Sequence, residues 1–187
     1  MINRIITEEE ALKRLSSLCA KSEHSSGEAN EKMIRWGLSP QSRSKVIAKL
    51  IDAKFIDDSR FARFFVHDKI QFNHWGRRKI EIALRQKGVD PDTASEALDA
   101  VDDDEYLSIL RPMIKAKEKT VTGASDYERA MKTIKWAMGR GFTIDLIRKC
   151  IDDIAPFVAQ PHTEGCRRRL CTRQRAPREE QLQGAPK

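Results

Sequence analysis

The chain has 187 residues, 34% of them charged and 40% hydrophobic, with 35 Lys and Arg against 28 Asp and Glu. Nine glycines, seven prolines and 6% aromatic residues, with a mean hydropathy of −0.59, argue against a large β-sandwich or a collagen-like chain and suit a charged helical protein. The net charge of +7 is weak evidence for a nucleic-acid partner, because residues 155–187 hold seven basic and three acidic side chains, more than half of the excess.

No apolar run approaches the roughly 20 residues that a membrane span requires. The segment from Met1 to Glu8 lacks the apolar core of a signal peptide. Cys19, Cys150, Cys166 and Cys171 form no ladder and no Cys-x-x-Cys pair, so no disulfide scaffold is needed and a cytoplasmic protein without a membrane contact is expected.

Helix signals recur along the chain. Thr7 and Glu10 form a capping box that opens a helix with Ala11, Leu12, Leu15, Leu18 and Cys19 inward. Ser25 with Glu28 opens a second helix, and Ser39 followed by Pro40 a third. Asp58 precedes a fourth, with Phe61, Ala62, Phe65 and Ile70 inward; Asp57 and Asp58 both stand where N-caps stand, where negative charge suits the helix dipole. A fifth helix follows Gly76 with Ile80, Ala83 and Leu84 inward, and Asp90-Pro91 opens a sixth. The seventh carries Leu107, Leu110 and Ile114. Ser125 with Glu128 opens the eighth, with Met131, Ile134 and Met138 inward, and Thr143 opens the ninth. No stretch alternates with period two, so no sheet is predicted.

Three of these junctions repeat one phrase. Gly37-Leu38-Ser39, Gly88-Val89-Asp90 and Gly141-Phe142-Thr143 each read as a glycine just past a helix, an apolar residue and an N-cap. Nine, ten and thirteen residues after the glycine stand Val46, Ile47 and Leu50, then Ala97, Leu98 and Val101, then Cys150, Ile151 and Ile154. All are apolar, at the spacing of one helix stripe. Upstream, Met33, Leu84 and either Ile134 or Met138 imply a one-residue slip in the last unit. The predicted architecture is all-α: three tandem three-helix, helix-turn-helix-like repeats in an elongated array, with repeats over 1–56, 57–105 and 106–154.

From Ala155 the pattern stops. Four prolines, the run Arg167-Arg168-Arg169 and a Gln-rich polar sequence offer no apolar face, so 155–187 is predicted to be a disordered basic tail. Cys166, Cys171 and His162 make a poor zinc site, since a second ligand pair is missing. A chain ended after Ile154 is expected to keep its helix content by circular dichroism. Loss of cooperative melting on that truncation would place the tail in the core.

The middle of the chain carries a more specific pattern. Phe55, Ile56, Asp57, Asp58, Ser59, Arg60, Phe61, Ala62, Arg63, Phe64, Phe65 and Val66, followed by Gly76, Ile80, Leu84 and Lys87-Gly88-Val89, resemble the signature of the RecX regulatory proteins. That family has an apolar–Asp-Asp-x-Arg-Phe-Ala phrase, a glycine about fifteen residues on and a Leu-x-x-Lys-Gly-apolar phrase. The resemblance extends more weakly over residues 7–154. It implies a non-enzymatic modulator of the RecA recombinase, built of tandem three-helix repeats, that binds in the groove of the RecA–DNA filament. Such a protein would block filament extension, ATP hydrolysis, strand exchange and repressor co-cleavage, and so act in recombination, repair and the SOS response. It would work as a monomer without cofactor, with weak affinity of its own for single- or double-stranded DNA.

The charge layout suggests where a partner would bind. Between Lys69 and Lys87, six cations (Lys69, Arg77, Arg78, Lys79, Arg85, Lys87) face Glu81 alone. From Asp90 to Glu105, eight carboxylates stand with no basic residue. Two readings are open: the two runs compensate each other as a solvated surface, or the basic helices line one face that meets phosphate or an acidic protein. The candidate basic face is Arg60, Lys69, Arg77, Arg78 and Lys79, extended by Lys45 and Lys49 with Arg43, and by Lys132 and Lys135 with Arg129 and Arg140. Arg77, Arg78 and Lys79 begin a helix, where the positive dipole end disfavours cations, which points to a demand from a partner. Arg60 is placed to pair with a neighbouring repeat or with a partner. Trp36, Trp75 and Trp136 lie near repeat junctions, either half-buried or presented to bases.

Two other classes fit the sequence less well. A stand-alone helix-turn-helix DNA-binding protein suits three-helix units with a capped third helix, but Asp92, Glu96 and Asp99 make that helix a poor reader of a major groove. An enzyme lacks support: there is no Gly-rich phosphate loop, no nucleophile elbow and no metal-spaced His pair, with His24, His67, His74 and His162 scattered.

Overall fold

Residues 6–151 are described by a computed structural model. The readings that fall on 1–5 and 152–187, among them Ile154, the basic tail, Cys166, Cys171 and His162, lie outside the described residues. The chain forms nine α-helices there and no strand: α1 Glu8–Cys19, α2 Ser26–Arg35, α3 Pro40–Asp52, α4 Asp58–Gln71, α5 Arg77–Gln86, α6 Pro91–Asp99, α7 Asp103–Glu118, α8 Asp126–Gly139 and α9 Ile144–Ile151. They group in threes, and in each group the first and third helices pack together; the second packs chiefly on the third in the first two groups, and on both in the last.

The ends of the helices follow from local chemistry. Thr7, Ser25, Ser39, Asp57, Asp90 and Ser125 each accept a backbone N–H of the first turn, which satisfies donors that a helix start leaves unpaired. The cap of α4 is Asp57. Asp58, read from the sequence as a second cap for that helix, is its first helical residue and serves elsewhere. At the end of each second helix stands a glycine with positive φ: Gly37 at 80°, Gly88 at 71° and Gly141 at 93°. The following N–H reaches back to close the turn, from Leu38 to Met33 O at 3.1 Å, from Val89 to Leu84 O at 3.2 Å and from Phe142 to Ala137 O at 3.4 Å. This left-handed turn needs a residue without Cβ strain, which explains the glycine.

The register upstream holds without a slip. Four residues before the glycines stand Met33, Leu84 and Ala137, each 0% exposed. Met138, expected inward, is 44% exposed. Alanine at 137 is so small that side-chain size points to Met138 instead, yet Met138 lies one position, about 100°, further round the helix.

The apolar side chains gather in two cores rather than three. Ile6, Ala11, Leu15, Ala29, Met33, Leu38, Val46, Leu50 and Ile56 form the first, from α1, α2, α3 and the segment that follows. The second runs without a break from Phe61 on α4 to Ile151 on α9. Each fully buried Leu, Ile or Met in these cores contributes roughly 1.5–3 kcal/mol through removal from water. The last two groups of helices thus share one interior, and the first has its own.

Second helices also meet end to end. The start of α2 sits on the terminal turn of α5, where the Ser25 hydroxyl donates to Lys87 O at 2.6 Å. The start of α5 sits likewise on the terminal turn of α8: the Gly76 N–H donates to Arg140 O at 2.9 Å and the Arg78 N–H to Gly141 O at 3.1 Å. Both meetings are backbone-close. A Cβ on Gly27 would stand 2.3 Å from Lys87 O, and one on Gly76 would stand 2.3 Å from the backbone of Gly141 and Phe142.

Candidate functional site

Helix α5 turns Ile80 and Leu84 into the second core and leaves Arg78, Glu81, Ile82 and Arg85 outside. Its cap residue, Gly76, has no side chain to accept an N–H. The carbonyls of Arg140 and Gly141 take that place. They are the negative end of α8, so the positive end of α5 is already compensated. This removes the argument that three cations at a helix start must answer a partner: the field that would repel them is offset by the neighbouring helix terminus.

The cations of this run have separate fates. Arg77 donates from Nη2 to Asp99 Oδ1 at 2.6 Å, and that bond, with a second from Ser95, holds the Asp99 carboxyl below its ordinary range. Lys149 pairs with Asp103 at 2.8 Å, and Gln71 donates to Glu105 at 2.9 Å. The acidic stretch is therefore partly met from within the fold. Lys79 lies over the Trp75 ring at 4.4 Å from its centre, and Lys69 over the same ring at 5.6 Å and over Phe65 at 4.9 Å. Two ammonium groups share one half-buried indole. Arg78 is exposed and pairs with no carboxylate among the described residues.

The other candidates divide in the same way. Arg60 grips Glu23 with two bonds, Nε to Oε1 at 2.8 Å and Nη2 to Oε2 at 3.1 Å, so its partner is the turn between α1 and α2. Lys132 pairs with Glu128 at 2.7 Å and donates to Thr122 O at 2.9 Å. Arg129 pairs with Asp126, and Arg43 donates to Leu38 O at 3.2 Å. Lys45, Lys49 and Lys135 are exposed, with no ion pair among the described residues. Lys79 and Lys132 stand at the same place in their units, nine residues before Gly88 and Gly141. Lys45 and Lys49 lie on a third helix, α3, and have no counterpart on α5 or α8. Of the candidate cations, Lys45, Lys49, Arg78 and Lys135 are thus open to solvent without an ion pair among the described residues, while Lys69 and Lys79 lie over Trp75.

The tryptophans are half-buried against the cores and covered by cations. Arg14 lies 5.7 Å from the Trp36 ring centre, Arg140 4.7 Å and Lys117 5.8 Å from that of Trp136. Asp57 and Asp58 both serve helix starts. Asp57 accepts from the Arg60 N–H at 2.9 Å, a bond that lowers its carboxyl pKa. Asp58 accepts from the Ser26 N–H at 2.8 Å and from the Ser26 hydroxyl, so it caps α2 from the start of α4. Sequence reading missed this role, and missed Glu28 and Lys87 as partners at 2.5 Å. The available signal was Gly27, a glycine inside the first turn of a helix, where only a close neighbour favours it.

Comparison with known proteins identifies the pattern. Residues 57–98 match a family model described as the second three-helix domain of RecX. The chain is 32% identical over 145 residues to a protein of Prosthecochloris aestuarii named "Regulatory protein RecX", covering 77% of this chain and 93% of that one. The chain belongs to the RecX family. A RecX of Lactobacillus johnsonii is 30% identical over 118 residues, 63% of this chain and 44% of the relative, so the chain spans less than half of that relative's length. The crystal structure of RecX from Lactobacillus salivarius superposes with a TM-score of 0.72 at 20% identity, over 78% of this chain and 95% of that one, and so shares the fold. The relatives are named as regulatory proteins, not as enzymes. Among the described residues, no helix is long and apolar enough to cross a membrane.

Proposed function

We propose that this chain binds the RecA recombinase and its nucleoprotein filament and inhibits ATP hydrolysis, strand exchange and co-protease activity, and thereby modulates recombination, repair and the SOS response. The observation that carries this reading is the 32% identity to a regulatory RecX protein across nearly all of that relative. Sub-stoichiometric protein is expected to slow RecA's ATPase on single-stranded DNA and its strand exchange. Unchanged rates with equimolar protein in low salt would sink the assignment. The alternative of a stand-alone major-groove reader is disfavoured by α6, whose outer face exposes Asp92, Glu96 and Asp99.

The binding face we propose is centred on Arg78, Lys79 and Lys69. Reversal of Arg78 and Lys79 to Glu is expected to weaken filament binding about ten-fold or more, as removal of charge-assisted bonds does. It should also flatten the dependence on salt by about one power for each phosphate left unneutralised. Melting should fall only slightly, through loss of the Lys79 contact with Trp75, worth about 0.5–1 kcal/mol at an exposed site. Arg77→Glu should do the opposite: it sets a carboxylate against Asp99 and lowers stability, while inhibition persists. An Arg78/Lys79 variant that inhibits fully would remove α5 from the binding face.

A further inference from the structure

We propose that the chain hinges at Asp57, between the separately cored helices α1–α3 and the single body of α4–α9, and that a latch of charged and polar groups holds it closed and opens with salt. The two cores supply the first observation. Ile56 is buried in the first and Phe61 in the second, and neither core includes a side chain from the other side of Asp57. The link between the bodies is therefore a few residues long, which permits rotation but not separation.

The groups that cross this boundary supply the second. Arg60 holds Glu23, Asp58 holds Ser26, the Ser25 hydroxyl holds Lys87 O, and Lys87 Nζ holds Glu28 Oε1 at 2.5 Å. His24 Nδ1 meets the other oxygen of Glu28 at 2.8 Å. Burial raises the Glu28 carboxyl, but the bonds from Lys87 and His24 outweigh it and hold it below the ordinary range. The charged members of the latch reach solvent, although Ser25 is buried. A cleft of about 310 Å³ opens over Glu28 and Lys87, flanked by His24, Lys32 and Arg35. The side chains of Arg60 and Glu23 are 33% and 36% exposed.

The meeting of α5 with α8 is the contrast within the same molecule. It is made by backbone donors and carbonyls and sits on a continuous core. Salt shortens the screening length from about 10 Å at 0.1 M to about 3 Å at 1 M, which weakens partly exposed ion pairs and does not weaken apolar burial. The first boundary should loosen and the second should not.

Amide exchange of the full chain, read residue by residue by NMR without RecA or DNA, tests this apart from the regulatory role proposed above. The reporter is the Ser26 N–H, which only Asp58 across the hinge engages. The internal standards are the Gly76 and Arg78 N–H groups at the second boundary. From 0.1 to 1 M NaCl, Ser26 is expected to exchange about five-fold faster, with Gly76 and Arg78 nearly constant. Glu28→Gln, checked for unchanged helix content, should make Ser26 fast already at 0.1 M and shrink the salt effect. A salt-independent Ser26, or three amides that accelerate together, would overturn the hinge.

Discussion

Gly76→Ala is expected to cost about 3 kcal/mol or more, at the upper end of what overpacking usually costs. The added methyl would stand 2.3 Å from Gly141 C and Phe142 N and 2.4 Å from Gly141 O. These are backbone atoms held by the terminal turn of α8, so no rotamer change relieves the clash. Relief requires the two helix ends to part, which breaks the bonds from Gly76 N and Arg78 N, each worth about 1 kcal/mol. Gly139 is the control. It lies in α8 close to the same turn, and a methyl there would meet nothing within 4 Å, so Gly139→Ala should be neutral or stabilising by up to about 1 kcal/mol. Denaturant unfolding of the two variants measures the difference directly. Equal stabilities would show that the close approach of α5 and α8 is not maintained in solution.

Phe61→Ala is expected to cost roughly 3–5 kcal/mol, the range for deleting a buried phenyl ring. Phe61 is 6% exposed and stacks on Phe65 with ring centres 5.6 Å apart. It belongs to the close-packed second core, so its removal leaves a cavity that the surroundings fill only in part. Phe64, on the same helix and 58% exposed, should tolerate alanine with a change below about 0.5 kcal/mol. An unchanged melting temperature for Phe61→Ala, with weakened filament binding, would recast Phe61 as an exposed contact.

The helices themselves were legible in the sequence because their signals act within a turn or two. Thr7, Ser25, Ser39, Asp90 and Ser125 cap the helices that their spacing predicts, and Gly37, Gly88 and Gly141 end them in left-handed turns. The apolar stripes follow from the same short-range geometry, as does the run from Phe55 to Val89 that marks the family. These features need no knowledge of what lies across the molecule.

Tertiary structure alone decided what each polar group does. Asp58 lies 32 residues from Ser26, Arg60 37 from Glu23, and Ser25 62 from Lys87, distances over which spacing carries no preference for one partner over another. The charge map therefore showed a basic helix but not that Arg77 is tied to Asp99 while Arg78 is open to solvent. The three cations at Arg77–Lys79 are tolerated at a helix start for the same reason, since the compensating carbonyls of Arg140 and Gly141 come from the end of another helix. Nor does periodicity count cores: the apolar stripes of α4–α9 fuse into one interior and those of α1–α3 do not. A stripe fixes which side of a helix is buried, and only the packing of whole helices fixes against what.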